Sequence, residues 1–250
     1  MKQPDLANTS SVYDFLFIGL GGANSLLILN LYKNGLLDGK TIAVIEPSRK
    51  LTDEKTFCFW STKEELFTLN LEELVSHSWK QIEITGITTQ SIQQLSYHHV
   101  KGPDLTNKTK EVLSLREVTY FQSTLDHTPT IGSNYLEVTT GGSVLQCHKV
   151  FDSRPPTFSK LEKNQSSLYQ SFYGWKIKTD KQVFDTSSMG LMNFKIPQND
   201  STQFIYVLTF ESDTALVELT RFGKEKLTKE EADTILQDYV QQLGASFEIL

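Results

Sequence analysis

The chain is short of cysteine, of histidine in ligand spacing, of positive charge and of long apolar runs, and each shortage closes off a class of function. Its two cysteines, Cys58 and Cys147, stand far apart in 250 residues, which leaves no disulfide framework and no paired-cysteine metal motif. The five histidines show no ligand spacing, so no metal site is expected. Lysine and arginine number 24 against 30 acids, a formal net charge of −6. Nucleic acid is therefore not an expected partner, because a phosphate backbone calls for a basic face. No stretch reaches the roughly 18 apolar residues of a membrane span. The first eleven residues are polar and lack the apolar centre of a secretory signal. A reducing cytoplasm fits these absences best. Peripheral contact with the inner face of a membrane stays open, since it needs only an exposed apolar patch.

What is present is concentrated near the start. An apolar run ends in Gly19-Leu-Gly-Gly-Ala-Asn24, a helix-forming segment follows, and a second apolar run, residues 41–45, ends at Glu46. Strand, glycine turn, helix, strand and acid make the dinucleotide-binding fingerprint. Gly19 permits the tight turn, Gly21 lets the backbone approach a pyrophosphate, and the helix N-terminus offers free N–H groups and a positive dipole end. Glu46 suits a ribose diol and would repel a 2′-phosphate. Asn24 stands where a third glycine is usual. An ordinary βαβ unit with a glycine-rich turn is the competing reading.

Further along, residues 50–60 read as a loop ending in the aromatic cluster Phe57-Cys-Phe-Trp60. Ser61 or Thr62 caps a helix running to about Val75, and residues 79–85 alternate as a strand. Residues 104–115 read as a helix and 117–122 as a strand. Residues 134–140 and 143–151 form a hairpin across Gly141-Gly142. His98 and His99 fall in an expected loop and receive no role. Residues 158–168 read as surface loop. Residues 169–179, 183–196, 204–210 and 214–221 are aromatic and β-branched and predict an antiparallel sheet. Thr228 and Glu231 make a capping box that opens a last helix, Gly244 closes it, and residues 247–250 begin a strand.

Four segments, in this order, resemble the lycopene cyclases, flavoproteins that cyclise carotenoids. They are Gly19-Leu-Gly-Gly-Ala-Asn24; Asp53-Glu-Lys-Thr-Phe-Cys-Phe-Trp60; Phe151-Asp-Ser-Arg-Pro155; and the run that contains Gln170-Ser-Phe-Tyr-Gly-Trp175, Val183-Phe-Asp185, Leu191-Met-Asn-Phe194, Tyr206-Val-Leu-Thr-Phe210 and Ala215-Leu-Val-Glu-Leu-Thr220. The chain departs from the family at Lys55 (usually Arg), Phe57 (Trp), Thr186 (Pro), Asn193 (Asp) and Thr209 (Pro). The resemblance implies an α/β fold, with a Rossmann-like FAD-binding domain of the glutathione-reductase kind and an antiparallel β-sheet substrate domain. On that expectation, residues 1–80 and 104–160 bind FAD and residues 81–103 and 161–227 form the β-rich part. Residues 228–250 would start a return to the FAD-binding domain. The family's C-terminal flavin-contacting segment has no match here, so the chain reads as cut on that side.

The resemblance also implies a chemistry: non-redox closure of rings on lycopene or another linear carotenoid, with reduced FAD, and NAD(P)H as its reductant. Glu218 matches the family's catalytic glutamate and is the expected acid; mid-strand burial would raise its pKa. A solvent-facing carboxylate on a half-buried strand is the alternative. Gly19, Gly21, Gly22, Ala23, Asn24, Glu46 and Asp152 are the expected FAD contacts, with Arg154 beside Asp152, where a structural turn fits equally well. Phe172, Tyr173, Trp175, Phe184, Phe194, Phe204, Tyr206 and Phe210 are expected to wall the substrate site, although aromatics also simply fill sheets. The rival readings are a flavin monooxygenase of the same fold, and a non-catalytic carotenoid- or flavin-binding relative.

Overall fold

A computed structural model describes residues 12–47, 56–84, 88–155 and 166–250. The chain divides into two compact units. Met1–Phe59, Glu64–Ser76 and His99–Thr157 form the first, and Trp60–Lys63, His77–His98 and Phe158–Leu250 form the second. In chain order the elements begin with β1 (Val12–Ile18), α1 (Gly22–Lys33), β2 (Ile42–Ile45), β3 (Thr56–Ser61) and α2 (Lys63–Leu69). Then come β4 (Val75–Trp79), β5 (Gln81–Ile84), β6 (Thr88–Ser91), β7 (Ser96–Lys101), α3 (Gly102–Ser114) and β8 (Val118–Phe121). Next are β9 (Thr130–Ile131), β10 (Leu136–Thr140), β11 (Ser143–Asp152), β12 (Tyr169–Thr179) and β13 (Ser188–Asn193). The chain closes with β14 (Thr202–Glu211), β15 (Thr214–Gly223), α4 (Lys229–Gln241) and β16 (Phe247–Ile249).

The first unit is built on a six-stranded sheet of order β8-β2-β1-β11-β10-β9, with β8, β2, β1 and β11 mutually parallel. Strands buried on both faces lose polar alternation, and β1 and β2 show it. Phe15, Phe17, Ile42 and Val44 face one cluster with Ile28, Leu29, Leu105 and Val112 of α1 and α3. Leu16, Ile18, Ala43 and Ile45 face another with Val138, Leu145 and Cys147. The β10–β11 hairpin turns as expected, with Gly141 at φ +56° and Gly142 at φ +76°, the pair of positive angles a two-residue turn requires.

The second unit is built on a seven-stranded sheet of order β16-β12-β15-β14-β13-β5-β6. The β12–β15 and β14–β15 pairings are antiparallel and nearly unbroken. Helix α4 covers one face. Ala232, Ile235, Leu236 and Val240 pack on Trp175, Ile177, Ile205, Val217 and Leu219. The predicted capping box is present, with Thr228 accepting from Glu231 N–H and Glu231 accepting in return.

Several expectations are corrected. The Phe57–Trp60 cluster is not a loop but strand β3; residues 48–55 lie outside the described residues, as does most of the expected loop at 158–168. The helix expected to reach Val75 ends at Leu69, where Asn70 takes φ +55°, a left-handed turn that asparagine tolerates. The strand expected at 79–85 is two strands in different sheets, broken at Lys80. The strand expected at 183–196 is confined to β13, because the Asp185 carboxylate accepts from Ser187 N–H, Ser187 Oγ and Ser188 Oγ and folds 185–188 into a turn. His98 and His99 are buried on β7, with Nδ1 atoms 2.7 Å from Ser78 Oγ and 2.5 Å from Ser76 Oγ. Residues 228–250 do not return to the first unit. Their apolar helix face is taken by the antiparallel sheet, and β16 pairs with β12.

Candidate functional site

In the first unit the site is set by where β1 ends. Its neighbours β2 and β11 lie on opposite sides of it in the sheet, and the crevice at the carboxyl ends of such strands is where doubly wound sheets bind ligands. Gly19 leaves β1 at φ +79°, and its N–H donates to Ile45 O at 2.8 Å. A Cβ there would stand 2.7 Å from Ser153 Oγ, so contact and conformation both require glycine. Ser153 locks the turn, donating to Ile18 O from N–H at 3.0 Å and from Oγ at 2.9 Å. Gly21 is different. It is exposed, its backbone is extended, and the nearest atom to an added Cβ would be Ser153 Oγ at 4.0 Å. Nothing among the described residues excludes a side chain there, but a phosphate approaching the bare backbone would. Helix α1 then starts with no side-chain cap and no acid in its first turn, which leaves its N–H groups and dipole to an anion.

The other expected contacts divide. Ala23 is exposed in that first turn. Glu46 stands beside the turn, its Oε2 accepting from Leu20 N–H at 2.8 Å. Gly22 is required by the protein itself, since a Cβ would lie 2.6 Å from the Phe57 ring. The Asn24 side chain serves the scaffold. It is 3 % exposed, and its amide nitrogen donates to Ile18 O, Gly19 O and Phe151 O at 3.0, 2.7 and 3.1 Å. It ties the helix start to the ends of β1 and β11, where a third glycine would instead allow close packing. Asp152 grips Arg154, whose Nε and Nη2 donate to it at 2.9 and 2.8 Å. Those bonds hold the Asp152 carboxyl below its usual range against the opposing effect of burial. A concavity of about 770 Å³ around Tyr13, Lys40 and Arg116 lies at the amino ends of the same strands, the wrong end for a nucleotide.

Glu218 belongs to the second unit. Register places it opposite Gly174 of β12 and Tyr206 of β14, and it is half-buried. Loss of water pushes its carboxyl pKa up; a bond from Thr220 Oγ1 at 3.3 Å pulls the other way and is the weaker effect. The carboxyl is thereby biased toward its protonated form. Strand alternation sorts the expected aromatic wall. Phe172, Phe204 and Tyr206 share Glu218's face, Phe204 meets Phe194 at 5.3 Å, and Phe210 lies beneath Lys176 of that face. Tyr173, Trp175 and Phe184 are corrected out of it, since they pack on the α4 side. Sequence reasoning passed over Ser153 and Thr220, ordinary polar residues whose importance appears only once strand ends and faces are known.

Three solved structures share this fold at low identity. A geranylgeranyl bacteriochlorophyll reductase-like protein from Thermoplasma acidophilum is 12% identical, with 96% of this chain and 64% of that one covered at a TM-score of 0.60. The flavin-dependent brominase Bmp2 is 12% identical, with 96% and 65% covered at 0.60. The halogenase PltM, in complex with phloroglucinol and FAD, is 11% identical, with 93% and 57% covered at 0.57. The chain thus spans less than two thirds of each. Comparison with curated protein sequences finds no match. Residues 14–249 match the family model described as lycopene cyclase protein, and on that match the chain belongs to the lycopene cyclase family.

Proposed function

We propose that this chain closes β-type rings on the ends of a linear carotenoid such as lycopene, by an acid-catalysed, non-redox cyclisation with FAD as cofactor. The observation that carries the reading is the Glu218 carboxyl, desolvated in mid-strand on a face lined by aromatic rings, in a chain of this family. Glu218 gives its proton to the terminal double bond. The neighbouring double bond supplies its electron pair to the resulting cation and closes a six-membered ring. A base then takes one proton from the ring. Proton gained and proton lost cancel, so the product is an isomer and the enzyme an isomerase, or intramolecular lyase. The faces of Phe204 and Tyr206 stabilise the passing cation as they would an ammonium group.

The first unit's residues fit FAD. The bare Gly21 backbone and the uncapped N–H groups of Gly22 and Ala23 would receive the pyrophosphate, and Glu46 the ribose, with Asn24 and Ser153 holding the turn. FAD, when bound and reduced beforehand by NAD(P)H, would supply negative charge of the sign that favours a cation. Among the described residues, no helix is long and apolar enough to cross a membrane. We place the protein in the cytoplasm, meeting its insoluble substrate at the inner face of the membrane.

Expression in cells that accumulate lycopene tests the reading: the pigment extract is expected to contain β- or γ-carotene. The fold shared with a brominase and a halogenase supports a second reading, an oxygen-using flavoenzyme. Steady consumption of NAD(P)H and oxygen without ring formation would favour that alternative.

A further inference from the structure

Strand β12 carries one glycine, Gly174, in the middle of an eleven-residue run. A glycine inside a strand weakens it unless something approaches its bare backbone. Gly174 is not among the glycines with positive φ, so its conformation does not call for glycine. Its neighbourhood does. A Cβ at 174 would stand 3.1 Å from Glu218 Cβ and 3.1 Å from Val217 O, whereas Cβ atoms directly opposite on antiparallel strands ordinarily keep about 4.5–5.5 Å apart. The strands close in at this pair, and the sheet surface beside Glu218 carries no side chain at 174. Along the same face, one direction from Gly174 is rich in aromatic rings: Phe172 is 66% exposed, and the buried Phe204 and half-buried Phe222 lie beyond with centroids 6.3 Å apart, beside Thr220 and Gln170. The other direction meets Lys176.

We infer that the surface over Gly174 is the subsite for the branched apolar end of an isoprenoid chain, and that Gly174 sets its size. The end group lies on bare backbone beside the Glu218 carboxyl. The chain leaves over Phe172 toward Phe204 and Phe222, away from the charge of Lys176. The inference rests on the reading of Glu218 as the acid, and its test separates the two.

The full chain, supplied with FAD, is titrated with lycopene in detergent micelles, and binding is read from the polyene absorption shift. One misplaced methyl group in a fitted apolar site is worth about 10–200-fold. Gly174→Ala is expected to weaken binding at least about 10-fold. Gly190→Ala is the matched control: its new Cβ would lie 3.3 Å from Val207 Cβ, on the helix-covered face, and it should bind as the unmodified chain does. Phe172→Ala alters an exposed ring, poses no threat to folding, and should weaken binding severalfold. Glu218→Gln should bind normally and form no ring. Unchanged lycopene affinity in both Gly174→Ala and Phe172→Ala overturns the subsite. So does an equal loss in Gly190→Ala, or no binding by the unmodified chain. Normal binding by the unmodified chain without ring formation defeats the cyclase reading and leaves the subsite to be judged by the variants.

Discussion

At the scale of single residues, what matters is which groups have lost water and what replaces it. Glu218 is half-buried, and a bond from Thr220 Oγ1 offsets only part of the loss of water. A carboxyl whose pKa rises on folding binds its proton more tightly in the folded state. Its favourable contribution is complete below the unfolded value of about 4.3 and is lost as pH rises through the folded value. Glu218→Gln is therefore expected to melt at higher temperature than the unmodified chain at neutral and alkaline pH. The advantage should vanish in acid, as thermal melts across pH would show. Asn24 is the opposite case, a buried polar group whose amide nitrogen has three acceptors. Asn24→Ala removes both N–H donors of that amide, and at about 1 kcal/mol for each it should cost about 2 kcal/mol. The expected fall in melting temperature is about 4–8 °C, with weaker FAD retention because the turn comes loose.

At the scale of elements, what the sequence announced came from local signals. The glycine turn between β1 and α1, the Gly141-Gly142 hairpin and the Thr228–Glu231 capping box each rest on two or three residues whose backbone preferences need no partner. Strands β4 and β7 escaped because their neighbouring polar residues satisfy one another across the sheet, Ser76 with His99 and Ser78 with His98, so no apolar alternation marks them. The aromatic wall was half right because composition does not say which face a ring takes; register does. Helix α4 is pinned at its start, where Glu231 serves the cap and also accepts from Arg221 Nη1 at 3.2 Å. Thr228→Ala should cost about 1 kcal/mol, a fall of about 2–4 °C in melting temperature. Arg221→Met should cost more, because Gln203 Oε1 also loses its 2.8 Å donor.

At the scale of the whole molecule, the proposed chemistry divides between the two units. One offers a phosphate turn at the carboxyl ends of a parallel sheet; the other offers a desolvated acid among aromatic rings. The sequence pattern and the family resemblance anticipated the glycine turn and the antiparallel sheet, but neither could place the unit boundaries within β3 and β7, or assign α4 to the antiparallel sheet. Those depend on pairings between residues far apart in the chain. The central claim is that a proton, and not a hydride or oxygen, starts the reaction. It is tested most directly by running the flavin-loaded reaction on lycopene in heavy water and weighing the product. Closure initiated by Glu218 predicts one solvent deuterium in each ring formed, and no product from Glu218→Gln. Rings without deuterium, a product that has gained oxygen, or an active Glu218→Gln variant would contradict it.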